Sequence, residues 1–442
     1  MILDHDVVGS GLIWGALSLI GVATTFFGLR DPRAAFYIFA LCLFGNAFQI
    51  SLGPANFRVE LYASALLALS LAMNRRAVFV PNQRTSAERV CFAAAFAWIL
   101  LSIGVSIFVA PAPIRSLFMT FNLAMGILAY LVLARVRAEI KIQFVQILVI
   151  VLGVISTLSV CSLVLGLDNM LVAPPQGGNV ERVRGIALEP NIMGQMCIMV
   201  ILLSLHYIRR LSGALMAWLI PIGVAAILTN TRAVWICMIV AFVLFAVSRL
   251  RKVSIIPPLL ATFGVFIWVA YETLRASWLP EKNSFAWKIL NLTNSEEGTG
   301  SYRVRTSELA SVDIDNENGW LWGLGVSSYQ QRHPVDLTGA TEGYLPNFWF
   351  GLVYDTGIVG LLAACAFFVA ILTRTRLTLW ASCFFGAVAF CAIFTNPFWM
   401  MFPLVLAGLA EIKQVSSSGN CASWHINQAP VGFACRKVEV SI

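Results

Sequence analysis

Residues 142–166 read IQFVQILVIVLGVISTLSVCSLVLG and carry no charged side chain. An apolar helix needs about 20 residues to cross the hydrocarbon core of a bilayer, and this stretch is long enough. Similar runs recur along most of the chain, which is 59% hydrophobic and 12% charged, with a mean hydropathy of +0.81. This composition excludes an ordinary soluble domain. We expect an all-α membrane protein, a polytopic bundle of about 12–13 transmembrane helices.

The apolar runs divide the chain into regions. Membrane spans are predicted at 8–29, 34–52, 59–73, 90–110, 115–134, 142–166, 190–208, 212–228, 232–249, 254–271, 347–373, 377–394 and 398–412. A membrane bundle of about ten spans then covers 1–271 and includes a small loop at 167–189. A large, partly helical loop follows at 272–346, and C-terminal spans cover 347–412. The Ser-rich tail 413–442 is expected to be flexible.

Basic residues alternate between the connecting loops. Every second loop is basic, for example those with Arg135 and Arg137 and with Arg374 and Arg376. The positive-inside rule places these loops and the tail in the cytoplasm. The large loop would then be periplasmic, in a multi-pass protein of the bacterial inner membrane. Topology thereby explains the net charge of +8, and no nucleic-acid partner is expected.

Metal ligation is not indicated by the sequence. No CxxC or HxxH spacing occurs, and the chain has only four histidines. Asp313-Ile-Asp315 resembles the DxD pattern of metal-dependent sugar transferases. Those enzymes use nucleotide sugars, which are cytoplasmic, whereas this loop is predicted to be outside. We therefore interpret the segment as a solvated acidic turn and expect no metal and no cofactor.

Several arginines fall on the outward side, where topology does not explain them. Arg182 and Arg184 precede Pro190, which suits the first turn of a helix whose free amide groups would face outward. Two arginines there would form an anion site that holds phosphate bidentately. The alternative is that they extend to lipid headgroups.

Arg232 opens a predicted span, where a cation opposes the helix dipole and the topology rule. Residues that break local rules are often functional. The alternative is an interfacial anchor beside Trp235.

The large loop carries further candidates. Ser301 is expected to cap a short helix from Tyr302 to about Val312 that carries Arg303 and Arg305. His333 and Glu342 are the candidate general bases, although a lone loop histidine is usually just exposed. Aromatic residues of the loop would stack on sugars. Together with the arginines they indicate a lipid-linked, diphosphate-bearing glycan as the ligand.

Several segments, taken in their order along the chain, resemble segments of the O-antigen ligase and polysaccharide polymerase superfamily. They are Arg184-Gly-x-x-x-Glu-Pro-Asn191, Thr231-Arg-Ala-Val-Trp235, the pair Arg303 and Arg305, Gly323-Leu-Gly325, and Thr356-Gly-Ile-Val-Gly360. The resemblance covers roughly residues 180–375. It implies an integral-membrane glycosyltransferase that needs neither nucleotide sugar nor metal. Such an enzyme moves a glycan from undecaprenyl diphosphate to an acceptor hydroxyl.

The resemblance also implies roles for individual residues. Arg184 and Arg232 would bind the diphosphate and stabilise it as the leaving group. The resemblance does not assign the base, for which the loop candidates His333 and Glu342 both stay open. Further substrate contacts are expected from Arg182, Asn191, Arg303, Arg305, Arg332 and Asn347. Ligases of the family commonly place a histidine directly before the asparagine that closes the loop, and here that position is Pro346. The ten-residue separation of Arg332 and Gly343 resembles a pattern of polymerase loops.

A polymerase of surface polysaccharide or exopolysaccharide is therefore the leading hypothesis. One alternative is a ligase that transfers finished glycan to a lipid A core. An alternative of another class is a polysaccharide transporter or flippase, although charged residues in mid-membrane positions are few. The partners expected are the undecaprenyl-diphosphate-linked oligosaccharide, the growing polysaccharide and membrane lipids. A flippase and a chain-length regulator are candidate partners.

Overall fold

The computed structural model describes residues 25–45, 49–52, 55–79, 86–167, 169–173, 181–187, 189–207, 210–249, 299–334, 344–374, 385–386, 388–389, 392–393 and 401–411. The helices are, in chain order, α1 Pro32–Phe44, α2 Val59–Met73, α3 Arg75–Val78, α4 Ser86–Phe108, α5 Pro113–Leu133, α6 Ala138–Val164, α7 Pro190–His206, α8 Gly213–Ala217, α9 Leu219–Leu228, α10 Arg232–Arg249, α11 Thr299–Asn316, α12 Ser328–Arg332, α13 Phe348–Arg374 and α14 Phe402–Ala410. Two antiparallel hairpins join β1 Gln49–Leu52 to β2 Ala55–Arg58 and β3 Val172–Ala173 to β4 Arg182–Val183.

The expected all-α membrane class is confirmed. Within the described ranges, four helices are long and apolar enough to cross a membrane when counted from end to end, namely α4, α5, α6 and α13, the last of which is divided at Gly357. Three of them, α4 to α6, lie within a few residues of the spans predicted at 90–110, 115–134 and 142–166. The predicted span 254–271 and the predicted tail 413–442 lie outside the described residues.

The predicted span 34–52 is wrong in its second half. Helix α1 ends at Phe44, with Gly45 as its C-cap residue. Residues 49–52 then form β1, whose register pairs Gln49 with Arg58 and Leu52 with Ala55. This antiparallel pairing turns the chain back instead of continuing the helix.

One end of the bundle gathers the helix ends that were predicted to be cytoplasmic. At the start of α6, the buried Lys141 Nζ donates to the Ala134 carbonyl at the end of α5 and to the Gly408 carbonyl in α14, over 3.2 and 3.0 Å. Just after α14, Glu411 accepts a 3.0 Å hydrogen bond from the Tyr130 hydroxyl and a 3.1 Å bond from Arg374 Nε. The side chains of Arg374 and Glu411 are only 3% and 2% exposed. Some of the basic residues that set the predicted topology are therefore also structural.

Replacing Glu411 with alanine is expected to destabilise the fold strongly. The change leaves the Arg374 guanidinium buried without its carboxylate, and breaking such a pair costs about 3–5 kcal/mol. A lower midpoint of thermal unfolding in detergent would show this. Glu139→Ala is the matched control, because Glu139 is exposed in the first turn of α6. Equal midpoints for the two variants would contradict the prediction.

Helix α13 is broken at Gly357, so the predicted span 347–373 is not one straight helix. Gly357 has φ 68° and ψ −173°, which interrupts the helical backbone. The rings of Trp349 and Phe368 lie 5.9 Å apart, whereas a straight helix would separate these residues by about 28 Å along its axis. Residues 348–356 therefore fold back against residues 358–374.

The break is filled by residues 320–325 of the large loop, which we call the docking segment. A broken helix leaves carbonyl groups unpaired before the break and N–H groups unpaired after it. Two N–H groups of the docking segment donate to the former over 2.8 and 3.0 Å, and two of its carbonyls accept from the latter over 2.8 and 3.3 Å. The four pairs are Leu324 N with Tyr354 O, Gly325 N with Asp355 O, Ile358 N with Trp320 O, and Val359 N with Leu321 O.

The loop is also fixed to the connection between α4 and α5. Gln331 Oε1 accepts a 2.7 Å hydrogen bond from the Ala112 N–H, and Gln331 Nε2 donates to Ser116 Oγ over 3.0 Å. Its residues 320–331 thus have two independent attachments to the membrane helices.

Candidate functional site

Arg182 lies on β4 and Arg184 just after it, and the two side chains make different contacts. Arg184 turns back along the loop, where its Nε and Nη2 both donate to the Met170 carbonyl over 3.2 and 2.8 Å. The Nε of Arg182 is buried and has no hydrogen-bond partner among the described residues. A buried donor without a partner is costly. Arg182 is therefore the better placed of the two to bind an anion.

Glu189 is the residue directly before α7, in the N-cap position. Its side chain makes no capping hydrogen bond. The charges of Arg182 and Arg303 act on its carboxyl, and Asn191 and Tyr344 act on it as hydrogen-bond donors. Burial raises the pKa of the Glu189 carboxyl, while the two arginines and the two hydrogen bonds act to lower it. Burial likewise lowers the pKa of the Arg182 guanidinium, which the charge of Glu189 opposes.

Arg232 is the first residue of α10 and follows a tight turn. Asn230 in this turn has a positive φ of 49°. The Trp235 indole Nε1 donates to the Ile227 carbonyl over 3.0 Å, so Trp235 holds the turn. The turn thereby fixes where α10 begins and presents Arg232 at that end of the helix.

Arg303 lies near the start of α11, close to Arg232. Burial lowers the pKa of the Arg303 guanidinium, the charges of Tyr344 and Glu189 raise it, and the positive charge of Arg232 lowers it further. Two guanidinium groups that act on one another in this way repel each other. Such a pair is stabilised by an anion bound between its members.

Four side chains thus form one group, which we call the arginine site: Arg182, Glu189, Arg232 and Arg303. They come from β4, the N-cap of α7, the start of α10 and the start of α11. The amino end of α7 adds the positive end of a helix dipole. The arrangement is suited to binding an anion. Within the described ranges, no group of three or more His, Cys, Asp or Glu side chains could hold a metal ion.

Two other predicted contacts on the loop lie elsewhere. Arg305 is exposed on α11. Arg332 forms an ion pair with Glu317, just after the end of α11. In this structure neither residue is brought to the arginine site by a described contact.

The remaining predicted site residues divide between the site and its surroundings. Asn191 belongs with the arginine site, since it hydrogen-bonds to Glu189. Asn347 Oδ1 accepts a 3.2 Å hydrogen bond from the Phe350 N–H, so this side chain caps the first half of α13. Glu342 lies outside the described residues.

His333 is held in a separate polar cluster. Its Nε2 lies 2.8 Å from Asp313 Oδ2, the same oxygen that accepts a 2.7 Å hydrogen bond from the Tyr354 hydroxyl. The His333 ring also packs on Tyr329, with 4.4 Å between ring centroids. The predicted solvated acidic turn at Asp313-Ile-Asp315 is therefore wrong. Both aspartates lie inside α11, which runs further than expected because its last turn packs on the loop and on α13.

The two clusters lie on the same helix but not at the same place. Arg303 and Asp313 are ten residues apart on α11, which corresponds to about 15 Å along its axis. Tyr302 adjoins the arginine site, because its hydroxyl donates to the Tyr344 carbonyl over 3.4 Å. The His333 cluster is thus more than the length of an arginine side chain away from Arg303.

Glu189 was not predicted as a site residue. The sequence nevertheless held a signal for it, namely an unusual residue before the helix. Ser, Thr, Asp and Asn are the preferred N-cap residues, and Glu is not. A glutamate directly before a proline at the first helical position, after two arginines, departs from that preference. Tyr344 gave no comparable signal beyond being an aromatic residue of the loop.

Residues 214–365 match the family model described as O-antigen ligase. The resemblance to the O-antigen ligase and polymerase superfamily is confirmed. The matched region includes Arg232 and Arg303 and the docking segment, whereas Arg182 and Glu189 lie before it. None of the curated proteins compared with the chain matches it.

The family match and the apolar helices support a coarse functional statement. The chain is a multi-pass membrane protein. The family matched by residues 214–365 supports glycan transfer of the O-antigen ligase or polymerase type in general, and lipid-linked glycans are the substrates this implies. The family match indicates a membrane glycosyltransferase-like enzyme.

Proposed function

We propose that the chain is a polymerase of a bacterial surface polysaccharide or exopolysaccharide. It would transfer glycan from undecaprenyl-diphosphate-linked repeat units to a hydroxyl of an acceptor glycan. The arginine site carries this proposal, because three partly buried guanidinium groups from distant segments are linked there by charge: Arg182 and Arg303 both act on Glu189, and Arg232 acts on Arg303. The site would face the periplasm in the inner membrane, where the positive-inside rule places this end of the bundle.

The charge of the site fits a diphosphate. Arg182, Arg232 and Arg303 with an ionised Glu189 leave an excess of two positive charges. A diphosphate ester linked to lipid and sugar carries two negative charges at neutral pH. Arginine also binds phosphate oxygens bidentately, which positions the group as well as attracting it.

The reaction needs charge stabilisation more than any other contribution. When the acceptor oxygen attacks the anomeric carbon, the bond from that carbon to the phosphate oxygen breaks and the diphosphate leaves with the electron pair. Arginines already in place stabilise the charge that develops on the leaving oxygen, and such stabilisation often contributes more to catalysis than any other single effect. We propose that Arg182 and Arg303, with Arg232, supply it, and that Arg184 holds the loop through Met170.

The end of the large loop, directly before α13, favours a polymerase over a ligase. Pro346 takes the position at which ligases of the resembled family commonly have histidine. His333, a possible replacement, is bound to Asp313 and lies about 15 Å along α11 from Arg303. A flippase that delivers the repeat units and a chain-length regulator would be partners of such a polymerase.

The lipid-linked pool of cells that carry Arg232→Ala tests the proposal. Single repeat units on the carrier lipid are expected to accumulate while long chains disappear, because the leaving diphosphate is no longer stabilised. Full-length polymer on the carrier lipid would instead indicate a ligase. Arg115→Ala is the control, since Arg115 lies at the same end of the bundle and contacts Gln330 of the loop. Normal chain length in Arg232→Ala would exclude the proposed role.

A further inference from the structure

Three consecutive side chains of the docking segment, Trp320, Leu321 and Trp322, form an apolar surface that we call the tryptophan ridge. They are 42%, 52% and 54% exposed, and no charged residue occurs between Glu317 and Arg332. Large apolar side chains exposed in a row are unfavourable in water, and such a surface marks a place where another apolar surface binds. The tryptophan ridge therefore needs a partner that is itself apolar.

Hydrogen bonds fix the tryptophan ridge at the point where α13 resumes after its break. The Trp320 and Leu321 carbonyls accept from the Ile358 and Val359 N–H groups over 2.8 and 3.3 Å. Residues 358–374 then continue as a helix for about 25 Å, which is most of the thickness of the hydrocarbon core. The ridge thus lies at the level of one end of a membrane-spanning helix.

The end of α4 lies at the same level. A Cβ atom on Gly325 would lie 2.4 Å from the Ala110 Cβ, so the docking segment packs on the chain directly after α4. Phe108, the last residue of α4, is 85% exposed, and Leu362, about one turn after the break in α13, is 63% exposed. These residues belong to helices that are apolar enough to cross the membrane. The tryptophan ridge therefore adjoins the lipid-facing ends of two membrane helices.

The orientation of Trp320 suits a boundary between lipid and water. Its indole Nε1 donates to Asp315 Oδ1 over 2.6 Å, so the single polar atom of the ring is bonded to the loop. The apolar body of the ring is left for the exposed surface. Tryptophan is enriched at membrane–water interfaces because one part of its side chain is apolar and another part forms hydrogen bonds.

We propose that the tryptophan ridge inserts into the headgroup and upper acyl region of the surrounding bilayer. Membrane lipid is then the partner that covers this surface. The large loop is attached to the bilayer itself, in addition to its attachments to α13 and to the connection between α4 and α5. This inference does not depend on the reaction that the chain catalyses.

Stacking on a sugar is the other common use of exposed aromatic side chains. Leu321 favours lipid over sugar, because an aliphatic side chain between the two tryptophans adds apolar area but no aromatic face. The neighbouring exposed residues Phe108 and Leu362 extend the apolar surface towards the membrane helices. A glycan would not cover that continuous surface, whereas a bilayer would.

Lipids brominated near the headgroup test the proposal on the full-length protein in phosphatidylcholine nanodiscs, because bromine quenches tryptophan fluorescence only at short range. The chain has 13 tryptophans, so the signal is the emission that the double variant Trp320→Phe, Trp322→Phe removes. Bromine is expected to quench most of this emission in the wild type. Trp98→Phe is the control, because Trp98 is fully buried and the emission that it contributes should be quenched much less.

The opposite results would overturn the proposal. One is that bromine leaves the emission of Trp320 and Trp322 as little quenched as that of Trp98. Another is that a soluble repeat-unit oligosaccharide changes this emission while brominated lipid does not, which would make the ridge a sugar-binding surface.

Leu321→Glu provides an independent measurement. A carboxylate is unfavourable in an apolar environment, so this variant should lift the docking segment and increase hydrogen exchange at the Leu324 and Gly325 amides. Leu321→Met, which keeps an apolar side chain, should preserve their protection. Val312→Glu is the matched control, because Val312 is 54% exposed but lies four residues after the exposed Glu308 on the polar surface of α11. Equal protection of the two amides in Leu321→Glu and Val312→Glu would contradict insertion into the bilayer.

Discussion

Replacing Arg303 with alanine is expected to reduce polymerisation by about 100- to 1000-fold, the loss typical when one group that stabilises developing charge is removed. Arg303 is positioned by α11, and its neighbours Arg232 and Glu189 come from other parts of the chain. In the absence of substrate, its removal relieves repulsion with Arg232 and still leaves Glu189 with the charge of Arg182, so the fold should not be weakened greatly. The effect should therefore appear in turnover and not in the amount of folded protein.

Arg305→Ala is the matched control for this prediction. It removes the same charge from the same helix two positions away, where the side chain is exposed. Its turnover should remain within a few-fold of the wild type, because exposed charges away from a site contribute little. Turnover would be measured with repeat units linked to undecaprenyl diphosphate, and thermal unfolding would be recorded for both variants. Equal activity of Arg303→Ala and Arg305→Ala would show that position 303 does not bind the diphosphate.

Arg303→Lys distinguishes charge from geometry at the same position. Lysine keeps the positive charge but lacks the planar fork that binds two phosphate oxygens. An activity between those of the wild type and Arg303→Ala would indicate bidentate binding. Full activity of the lysine variant would indicate that charge alone is sufficient.

Membrane helices could be predicted closely because their signal is local. Helix α6, Ala138–Val164, lies within a few residues of the predicted span 142–166, since apolar length alone determines it. The break in α13 could not be predicted in the same way. Gly357 is compatible with a continuous apolar helix, and the groups that stabilise the break belong to residues 320–325, far along the chain.

The sequence predicted which types of residue form the candidate site, but not which individual residues belong to it. Arginines on the outward side departed from the topology rule, and charge effects link Arg182 to Glu189, Glu189 to Arg303 and Arg303 to Arg232. The choice between Arg182 and Arg184 depended on how the loop returns after β4. Gly185 there has a positive φ of 62°, which turns the chain so that Arg184 reaches Met170. No local pattern shows such a return.

The helix break makes a second prediction with a large effect, at Gly357. A Cβ atom at this position would lie 2.1 Å from the Leu321 carbonyl oxygen and 2.5 Å from the Trp322 nitrogen, both in the docking segment. The backbone at φ 68° and ψ −173° is also a conformation that is essentially restricted to glycine, and it costs another residue about 1–3 kcal/mol. Gly357→Ala is therefore expected to displace the docking segment. It should lower the free energy of unfolding by several times as much as an ordinary glycine-to-alanine substitution does.

The consequence should extend from the break to the site. The docking segment lies between α11, which carries Arg303, and α12, which ends beside His333, so its release would loosen both. Hydrogen exchange of the backbone amides at Leu324, Gly325, Ile358 and Val359 would measure the loss directly, because all four make the hydrogen bonds that close the break. Polymerisation is expected to fall together with this protection.

Gly104→Ala supplies the control for Gly357→Ala. Gly104 lies inside α4, and a Cβ atom there would meet nothing within 4 Å. Alanine is favoured over glycine in a helix by about 1 kcal/mol, so this variant should be as stable as the wild type or more so. If Gly357→Ala showed the same stability and the same protected amides as Gly104→Ala, the break would not depend on glycine. The docking segment would then have to be held by its other attachment, through Gln331 to the connection between α4 and α5.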